Sequence, residues 1–360
     1  MWNTLTMKFG TRPVRSIVAD HQQRHIHIVD QTMLPFALEM RILNTWQDAA
    51  EAIRAMRVRG APLIGVTAAY GMALAMREDA TDGALRDAHG GLLATRPTAV
   101  NLAWALGRMV DHLQPIDAPE RADAAWALAT QIEAEDVATN RRIGELGLEI
   151  LRAWHQKHSR TVNILTHCNA GRMACVEWGT ATSPVYQAHQ AGLPVHVWVS
   201  ETRPRNQGLI TQWELEDAGV PHTFVTDNAG GHLMQMGQVD VVMVGADRIT
   251  ANGDVANKIG TYLKALAAHD NHIPFYVAAP MSTVDMSIKN GLAEIDIEQR
   301  GGAEVRLVRG LNRERLMADF RLLDDDAAVG NPGFDVTPAR LVASIITERG
   351  VFAPGKLAAG

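Results

Sequence analysis

The chain has 360 residues, of which 47% are hydrophobic and 21% are charged, so it is long enough to bury a large core and to form two domains. Its net charge of −6 at pH 7 gives no overall basic character, which argues against nucleic acid as a direct ligand. An anionic small molecule stays possible, because local arginines can oppose the global charge.

The cysteine and histidine content indicates a reduced protein without a metal centre. Two cysteines, Cys168 and Cys175, are too few for a disulfide-built secreted fold and fit a cytoplasmic location. His21 and His25 alone have HxxxH spacing, in a polar stretch that leads into a predicted strand, and no CxxC pair occurs. No signal peptide is recognisable. The most apolar stretch, residues 61–76, is too short to cross a bilayer, so we expect a buried helix there.

The first half of the chain has a helical pattern that follows one short strand. Residues 24–29 alternate enough to form that strand. Segments rich in Ala, Leu and Met then predict helices over residues 46–57, 63–76, 99–113 and 122–154.

After residue 157 the pattern changes to short β-rich runs that are separated by helical stretches. This alternation predicts a mostly parallel sheet with helices on both faces. The expected strands are residues 162–166, 195–200, 222–226, 239–244, 274–278 and 304–308. We therefore expect an α/β protein with a mainly helical N-terminal domain, residues 1–145, and an α/β catalytic domain, residues 146–360.

Polar or glycine-bearing turns follow the first five of these strands. Their sequences are HCNAG, ETRP, DNAGG, GADR and AAP. Ligands of open parallel sheets bind beyond the carboxyl ends of the strands, so these turns predict one shared crevice.

Cys168 directly follows the strand of residues 162–166. If Asn169-Ala170-Gly171 opens a helix, the unpaired amides and the helix dipole would stabilise a thiolate at this position. The neighbouring His167 would point to the other side of a continuing strand, so we do not expect it to act as the base for Cys168. The alternative, an inert buried cysteine, fits Cys175 better than Cys168.

Two aspartates end strands that face the predicted crevice. Asp247 follows a buried run and is well placed for a raised pKa and general-acid work, or else it pairs with Arg248 in the turn. For Asp227 we favour a cap of the helix that follows.

Three cationic residues are candidates for binding an anion. Arg59 and Arg96 precede likely helix starts that contain a proline, and an amide-lined helix end with a guanidinium beside it suits a phosphate. Lys258 lies inside another predicted helix start; a surface lysine is the alternative. There is no GxGxxG, P-loop or Ser-His-Asp pattern, so a dinucleotide cofactor has no support.

Taken together, the segments resemble the methylthioribose-1-phosphate isomerase family from about residue 29 to residue 351. Its superfamily also contains ribose-1,5-bisphosphate isomerase and the regulatory subunits of the nucleotide-exchange factor of translation initiation. The segments that carry the resemblance are 30–31 (DQ) with 34–35 (LP), 59–65 (RGAPLIG), 96–98 (RPT) with 101–102 (NL), 166–171 (THCNAG), 201–204 (ETRP) with 207–208 (QG), 245–248 (GADR), 257–262 (NKIGTY), and 331–332 (NP) with 334–338 (FDVTP).

The resemblance implies a helical domain joined to a Rossmann-like domain, a homodimer, a phosphorylated pentose substrate and no cofactor. It also implies that Cys168 is the catalytic thiol and Asp247 the proton donor. The residues implied around the substrate are Arg59, Gly60, Ala61, Arg96, Gln207, Asn257 and Lys258. The chain departs from the family pattern at residues 209–212 (LITQ) and 172–175 (RMAC), which leaves the exact pentose open.

The implied reaction is the conversion of 5-methylthioribose 1-phosphate to 5-methylthioribulose 1-phosphate in methionine salvage. Cys168 would either remove the C2 proton or assist a hydride shift from C2 to C1, and a water-excluded crevice favours the shift. Alternatives are an isomerase of 5-deoxyribose 1-phosphate or ribose 1,5-bisphosphate, and a non-catalytic regulatory subunit of the translation-factor type. The regulatory subunit should lack the cysteine and aspartate together.

Overall fold

The computed structural model describes residues 15–96 and 98–357. Its first part combines a small antiparallel sheet with a group of helices: most of the helices are as the sequence predicts, whereas only one of the three strands was expected. The sheet contains β1 (Ile17–Asp20), β2 (His25–Val29) and β3 (Met40–Leu43). The helices are α1 (Trp46–Arg54), α2 (Ala61–Glu78), α3 (Asp82–Leu93), α4 (Val100–Leu113) and α5 (Ala118–His158).

Helix α2 is the centre of this part and confirms the predicted buried helix. Every residue from 63 to 76 is buried, because α1, α4 and α5 surround the helix. A helix that is apolar on all sides is stable in water only when it is covered in this way. Among the residues that the structure describes, no helix combines the length and apolar character needed to cross a membrane.

Helix α5 is 41 residues long and contacts both parts of the chain. Its residues up to Ile132 belong to the same apolar cluster as α2, whereas Ile143 and Leu151 belong to the cluster of the second part. The boundary that the sequence predicts, at residue 145, falls inside this helix at the change of packing partners.

The second part is built on a seven-stranded sheet with the order β16-β15-β10-β7-β4-β5-β6. All neighbouring strands in it are parallel except β15 and β16, which confirms the predicted mostly parallel sheet. Its strands are β4 (Val162–Thr166), β5 (Val195–Ser200), β6 (His222–Val225), β7 (Val241–Val244), β10 (Phe275–Ala278), β15 (Ser344–Thr347) and β16 (Gly350–Phe352).

Helices cover this sheet, and two smaller sheets extend it near the site. The helices are α6 (Ser183–Gln190), α7 (Gly208–Asp217), α8 (Ala229–Gln235), α9 (Thr261–Asp270), α10 (Gly291–Glu294) and α11 (Ala303–Arg306). The smaller sheets contain β8 (Arg248–Thr250), β9 (Val255–Lys258), β11 (Val284–Asp285) and β14 (Phe334–Thr337), and β12 (Leu307–Leu311) with β13 (Met317–Arg321).

Besides the helix expected directly after Cys168, which is described with the site, two predicted elements are wrong in this part. The strand expected at residues 304–308 is split, because α11 occupies residues up to Arg306 and β12 then pairs only with β13 in a separate hairpin. Lys258 does not lie in a helix start: it ends β9, which pairs with β14. Helix α9 begins only after Gly260, whose φ of 98° breaks the strand.

Candidate active site

A cleft lies at the carboxyl edge of the large sheet, where the loops after β4 and β7 meet the start of α2. It encloses about 800 Å³, open solvent at its mouth included. All of the predicted site residues line it: Cys168, Asp247, Arg59, Gly60, Ala61, Arg96, Gln207, Asn257 and Lys258. Of the five turns that were predicted to converge, those after β4 and β7 line the cleft. The turns after β5 and β6 support it from behind through Thr202 and Asp227, and the turn after β10 does not line it.

Cys168 has a left-handed backbone, with φ of 66°, which is unusual for a residue other than glycine. Its N–H donates to Thr202 Oγ1 at 2.8 Å, and its carbonyl accepts from Thr211 Oγ1 at 2.8 Å. Burial raises the pKa of the thiol to about 11, although the nearby charge of Lys258 opposes the shift. Cys168 is therefore a neutral thiol at pH 7.

The helix expected directly after Cys168 does not form. Residues 169–171 are irregular, only one 3-10 turn (Arg172–Ala174) follows, and α6 begins later. No helix end therefore stabilises a thiolate here, which is consistent with the raised pKa. Cys175 is fully buried and its thiol pKa is raised well above normal, as expected of an inert cysteine.

His167 is buried behind Cys168 and does not serve its thiol. Its Nε2 lies 2.8 Å from the carbonyl of Ile259, and its Nδ1 lies 3.3 Å from Thr202 Oγ1. Because Nε2 faces a carbonyl, it carries the proton and Nδ1 is the acceptor. Burial lowers the pKa of His167 to about 3, so the ring stays neutral.

Asp247 faces the cleft at the end of β7, and its pKa is raised by burial against the opposing charges of Lys258 and Arg96. The alternative pairing with Arg248 does not occur. Arg248 instead donates to the Thr98 carbonyl at 2.7 Å and lies 3.4 Å from Asp285. Asp247 thus has the raised pKa that the sequence predicts for a general acid.

Asp227 does not cap the helix after it, contrary to the expectation. Its carboxylate accepts from the Ser200 hydroxyl at 2.6 Å and from the N–H groups of Thr202 and Arg203 at 3.0 and 2.8 Å. It thereby fixes the turn after β5, which lies on the other side of His167 from the cleft.

Arg59 lies in the cleft directly before the N-terminus of α2, which is the arrangement on which the predicted anion site depends. Arg59 Nη2 donates to the Gln31 carbonyl at 2.9 Å, while its buried Nε has no partner among the described residues. Burial lowers the pKa of Arg59 to about 10, so the guanidinium stays charged at neutral pH. Gly60 precedes the helix with φ of 94°, and a Cβ there would overlap the backbone of Ala174 across the cleft.

Arg96 lies in the cleft but not at a helix start. Helix α4 begins only at Val100, and Pro97, part of the predicted motif, lies outside the described residues. Arg96 Nη2 lies 3.2 Å from Glu298 Oε2, and its buried Nε has no partner in the described part of the chain. Both cleft arginines therefore keep one donor that a ligand can use.

Lys258, Asn257 and Gln207 complete the polar lining. Lys258 Nζ donates to the Gly333 carbonyl at 2.9 Å and lies 4.7 Å from the centre of the Phe334 ring. Burial lowers its pKa, and the charges of Cys168 and Asp247 oppose the shift. Asn257 Nδ2 donates to Thr261 Oγ1 at 3.1 Å, whereas the buried Oε1 of Gln207 has no partner within the described ranges. A hydroxyl group of a ligand would satisfy that oxygen.

Sequence reasoning missed several residues that line the cleft. Met56, Ile210 and Phe334 give it an apolar side, and Arg300 adds a guanidinium that Glu298 and Glu304 hold. Phe334 lies in a segment that carries the family resemblance. Arg300 follows an irregular loop without periodicity, so no sequence pattern marks it.

The two departures from the family pattern lie next to the cleft. Arg172 turns away from it: the guanidinium lies 3.4 Å from Asp217 and stacks 4.9 Å from the centre of the Tyr186 ring. In the other segment, Ile210 lines the cleft and Thr211 holds the Cys168 carbonyl.

The predicted HxxxH histidines do not form a pair. His21 Nδ1 accepts from Trp126 Nε1 at 3.1 Å. His25 instead lies beside His27, with their Nε2 atoms 3.0 Å apart, and beside Asp20. This group lies on the small sheet and outside the cleft lining, and a hydrogen bond from one ring to the other accounts for the distance.

Comparison with known proteins agrees with the fold. The model of the Initiation factor 2 subunit family matches residues 57–354. The methylthioribose-1-phosphate isomerase of Dechloromonas aromatica is 59% identical over 94% of this chain and 93% of that protein. The enzyme of the same name from Acidiphilium cryptum is 58% identical over 98% and 96%.

Two solved structures superpose over nearly the whole chain. The 5-methylthioribose 1-phosphate isomerase of Pyrococcus horikoshii OT3 matches with a TM-score of 0.81 and 38% identity, covering 98% of this chain and 97% of that one. The delta subunit of translation initiation factor eIF-2B from A. fulgidus matches with a TM-score of 0.77 and 37% identity, covering 96% and 98%. The chain therefore belongs to the Initiation factor 2 subunit family and, within it, to the methylthioribose-1-phosphate isomerases.

Proposed function

We propose that this chain isomerises 5-methylthioribose 1-phosphate to 5-methylthioribulose 1-phosphate, a step of methionine salvage. The observation that carries the proposal is the presence of Cys168 and Asp247 in one cleft beside the anion site at Arg59. A regulatory subunit has no need of a buried thiol and a buried carboxyl group facing the same cavity.

The substrate phosphate would bind at the start of α2. The N–H groups of the first turn of a helix have no partner inside the helix, and Arg59 Nε is free to donate. Gly60 removes the side chain that would separate this helix end from the loop of Ala174. Phosphate binding there leaves the sugar ring over Cys168 and Asp247.

Asp247 would open the ring. Phosphorylation of the anomeric oxygen prevents ordinary opening to a free aldehyde, so the ring oxygen needs a proton as its bond to C1 breaks. A carboxyl group whose pKa is raised by burial keeps its proton to a higher pH than an ordinary aspartic acid does. The step leaves Asp247 ionised and C1 electron-poor.

The protonation state of Cys168 supports a hydride shift as the next step. The hydrogen at C2 moves with its electron pair to C1, and the carboxylate that ring opening left on Asp247 takes the C2 hydroxyl proton, which completes the ketone. Removal of the C2 proton by Cys168 needs a thiolate, and the raised pKa of about 11 makes the thiolate scarce at pH 7. Cys168 instead assists the shift electrostatically, through its polarisable thiol in a water-poor cleft.

Turnover in heavy water separates the two routes. The hydride route carries the C2 hydrogen to C1, so we expect less than about a tenth of the product to contain solvent deuterium at C1, as measured by NMR. Extensive deuterium at C1 would establish the proton-transfer route and overturn the hydride shift.

The apolar side of the cleft supports the methylthio substrate over its relatives. Met56, Ile210 and Phe334 suit a thioether or a methyl group. Arg205 and Arg300, which contact the Met56 sulfur, are already paired with Glu298 and Glu304 and so are poorly placed to bind a second phosphate. We expect the highest kcat/KM with 5-methylthioribose 1-phosphate, then 5-deoxyribose 1-phosphate, and far lower values with ribose 1,5-bisphosphate. Absence of turnover with all three would contradict the proposal and favour a regulatory subunit.

The assembly, compartment and domain boundary belong to the same proposal. We expect a homodimer, which sedimentation equilibrium would report as twice the 39.2 kDa of one chain. Both cysteines are free thiols, which supports a reducing cytoplasm. The change of packing partners along α5 supports a boundary between residues 145 and 146.

A further inference from the structure

The loop of residues 168–175, which we call the Cys168 loop, has few backbone partners of its own. It contains only the single 3-10 turn Arg172–Ala174. Buried backbone N–H groups need acceptors, so something outside the loop must hold it in place. That acceptor is Glu214 on α7, a side chain that is 1% exposed and does not line the cleft.

Four donors converge on the Glu214 carboxylate. Oε1 accepts from the N–H of Met173 at 2.8 Å and from Asn169 Nδ2 at 3.3 Å. Oε2 accepts from the N–H of Arg172 at 3.0 Å and from the Tyr186 hydroxyl at 3.1 Å. Three of these donors belong to the Cys168 loop, so one buried side chain holds most of it.

Thr211 lies one turn earlier on α7 and holds the other end of the loop. Its hydroxyl donates to the Cys168 carbonyl at 2.8 Å and accepts from Asn169 Nδ2 at 3.1 Å. Residues three apart lie on the same face of a helix, so Thr211 and Glu214 act from one surface. Helix α7 thus fixes the loop on both sides of Asn169.

Gly171 allows the carboxylate to approach this closely. A Cβ built on Gly171 would overlap Glu214 Oε2, although the φ of this residue lies outside the left-handed region. Space for the carboxylate therefore accounts for glycine at this position.

The Cys168 loop also connects to the anion site. Glu214 accepts a hydrogen bond from the N–H of Met173. The carbonyl of the same residue accepts a hydrogen bond from Gln31 Nε2 at 2.6 Å. The carbonyl of Gln31 in turn accepts from Arg59 Nη2 at 2.9 Å. A shift of the loop would therefore move the thiol and the phosphate-binding guanidinium together.

We propose that Glu214 is a positioning residue for Cys168. It accepts hydrogen bonds from the backbone N–H groups of Arg172 and Met173 and thereby fixes the position of the Cys168 thiol relative to the bound substrate phosphate. This rests on the proposed isomerase function. Glu214 acts only through the loop and does not touch the substrate.

Glu214→Gln tests the proposal with little change of shape. The amide keeps one acceptor oxygen but turns an NH₂ group toward either Arg172 or Met173, so one loop N–H loses its acceptor. A loosened loop misplaces the thiol, and we expect kcat to fall about tenfold to a hundredfold. Water would reach the thiol more easily, so its alkylation by iodoacetamide should begin at lower pH than in the wild type, nearer the ordinary cysteine pKa of 9.0.

Two controls separate positioning from packing. Tyr186→Phe removes the one donor that lies outside the loop, and Glu216→Gln changes an exposed carboxylate on the same helix. Both should keep kcat within about twofold and leave the pH dependence of alkylation unchanged. Mass spectrometry assigns the alkylated cysteine, and circular dichroism confirms that each variant is folded. If Glu214→Gln does not fold, Glu214→Asp is the second variant, because it keeps both carboxylate oxygens on a side chain that is one methylene shorter. It should show the same fall in kcat and the same shift of alkylation to lower pH.

The outcomes distinguish this proposal from the proposed function. If the wild type isomerises the substrate and Glu214→Gln keeps both kcat and the alkylation profile, Glu214 has no positioning role. Equal changes in Glu214→Gln and Tyr186→Phe would also overturn it, because they would show a general packing effect. If the wild type does not isomerise the substrate, the isomerase proposal fails, and the alkylation comparison still tests whether Glu214 holds Cys168.

Discussion

At the scale of single residues, burial shifts the pKa values of acids and cations in the cleft in opposite directions. Burial raises the pKa of Cys168 and Asp247 and lowers the pKa of Lys258 and Arg59. Each cation partly opposes the effect of burial on the acids. Substrate binding, which brings a phosphate dianion, would alter this balance at the moment when proton transfer is needed.

Cys168→Ser and Asp247→Asn should each reduce kcat by about 10²-fold or more, because each removes the group that the reaction uses. Both substitutions nearly preserve side-chain volume, so the fold should survive. Steady-state assays give the loss, and thermal melting of the same samples shows whether the variants are folded. Near-normal turnover in either variant would remove that residue from the mechanism.

Lys258→Met should make Cys168 harder to ionise. The positive charge of Lys258 lowers the pKa of the thiol, so its removal lets burial raise that pKa further above about 11. At a fixed pH near 9 the thiolate fraction then falls, by about tenfold for each pKa unit. The rate of iodoacetamide alkylation of Cys168 measures this.

Lys289→Met, a change of an exposed lysine, is the matched control and should leave the alkylation rate unchanged. An equal rate in Lys258→Met and the wild type would show that the ammonium charge does not reach the thiol.

At the scale of elements, the strands of the parallel sheet were more predictable than the loops that carry the site. β4 and β5 have the bounds that the sequence indicates, because short apolar runs rich in β-branched residues are typical of buried strands. Helix α3 was not predicted, and its Gly90-Gly91 pair explains why, since glycine weakens a helical pattern. β15, also not predicted, joins the sheet from a distant part of the chain.

The loop errors have a common physical cause. The missing helix after Cys168 and the strand at Lys258 are both decided by partners far away in the sequence, Glu214 for the first and β14 for the second. The secondary-structure propensity of a short segment does not show which distant residues the segment will contact. The resemblance to a family supplied the residues of the cleft, and their geometry needed the structure.

Gly60→Ala should damage the start of α2 and the anion site together. The residue has φ of 94°, and the new methyl group would overlap the backbone of Ala174. We expect a loss of stability of about 1–3 kcal/mol and weaker inhibition by inorganic phosphate. Urea unfolding and inhibition assays measure the two effects.

Gly90→Ala provides the opposite case, because a Cβ at Gly90 meets no atom within 4 Å and the residue lies inside α3. It should stabilise the protein by about 0.5–1 kcal/mol and leave phosphate inhibition unchanged. Similar effects in both variants would show that the close approach of Gly60 to Ala174 determines neither the stability nor the phosphate inhibition.

At the scale of the whole molecule, α5 joins the two parts that form the walls of the cleft. Arg59 and Gly60 come from the first part, and Cys168 and Asp247 from the second. A continuous helix that packs into both cores keeps the distance between these walls constant.

Ala138→Pro should therefore disturb the cleft from a distance. Ala138 is exposed in the middle of α5, so the change acts through the helix backbone and costs about 3 kcal/mol, whereas Ala138→Gly costs about 1 kcal/mol. We expect Ala138→Pro to raise KM and lower kcat among the molecules that remain folded, and Ala138→Gly to leave both unchanged. Unaltered kinetics in folded Ala138→Pro would show that the cleft walls keep their positions without an unbroken α5.

The contact between Gly60 and Ala174 also bears on how the enzyme could change its substrate. At this point the two walls touch through main chain, so the width of the phosphate end is fixed by backbone and no exchange of side chains can enlarge it. Met56, Ile210 and Phe334 border the cleft through their side chains instead, so their sizes can change without a movement of the backbone. Divergence to new pentoses should thus proceed at these side chains, while the binding site of the 1-phosphate keeps its width.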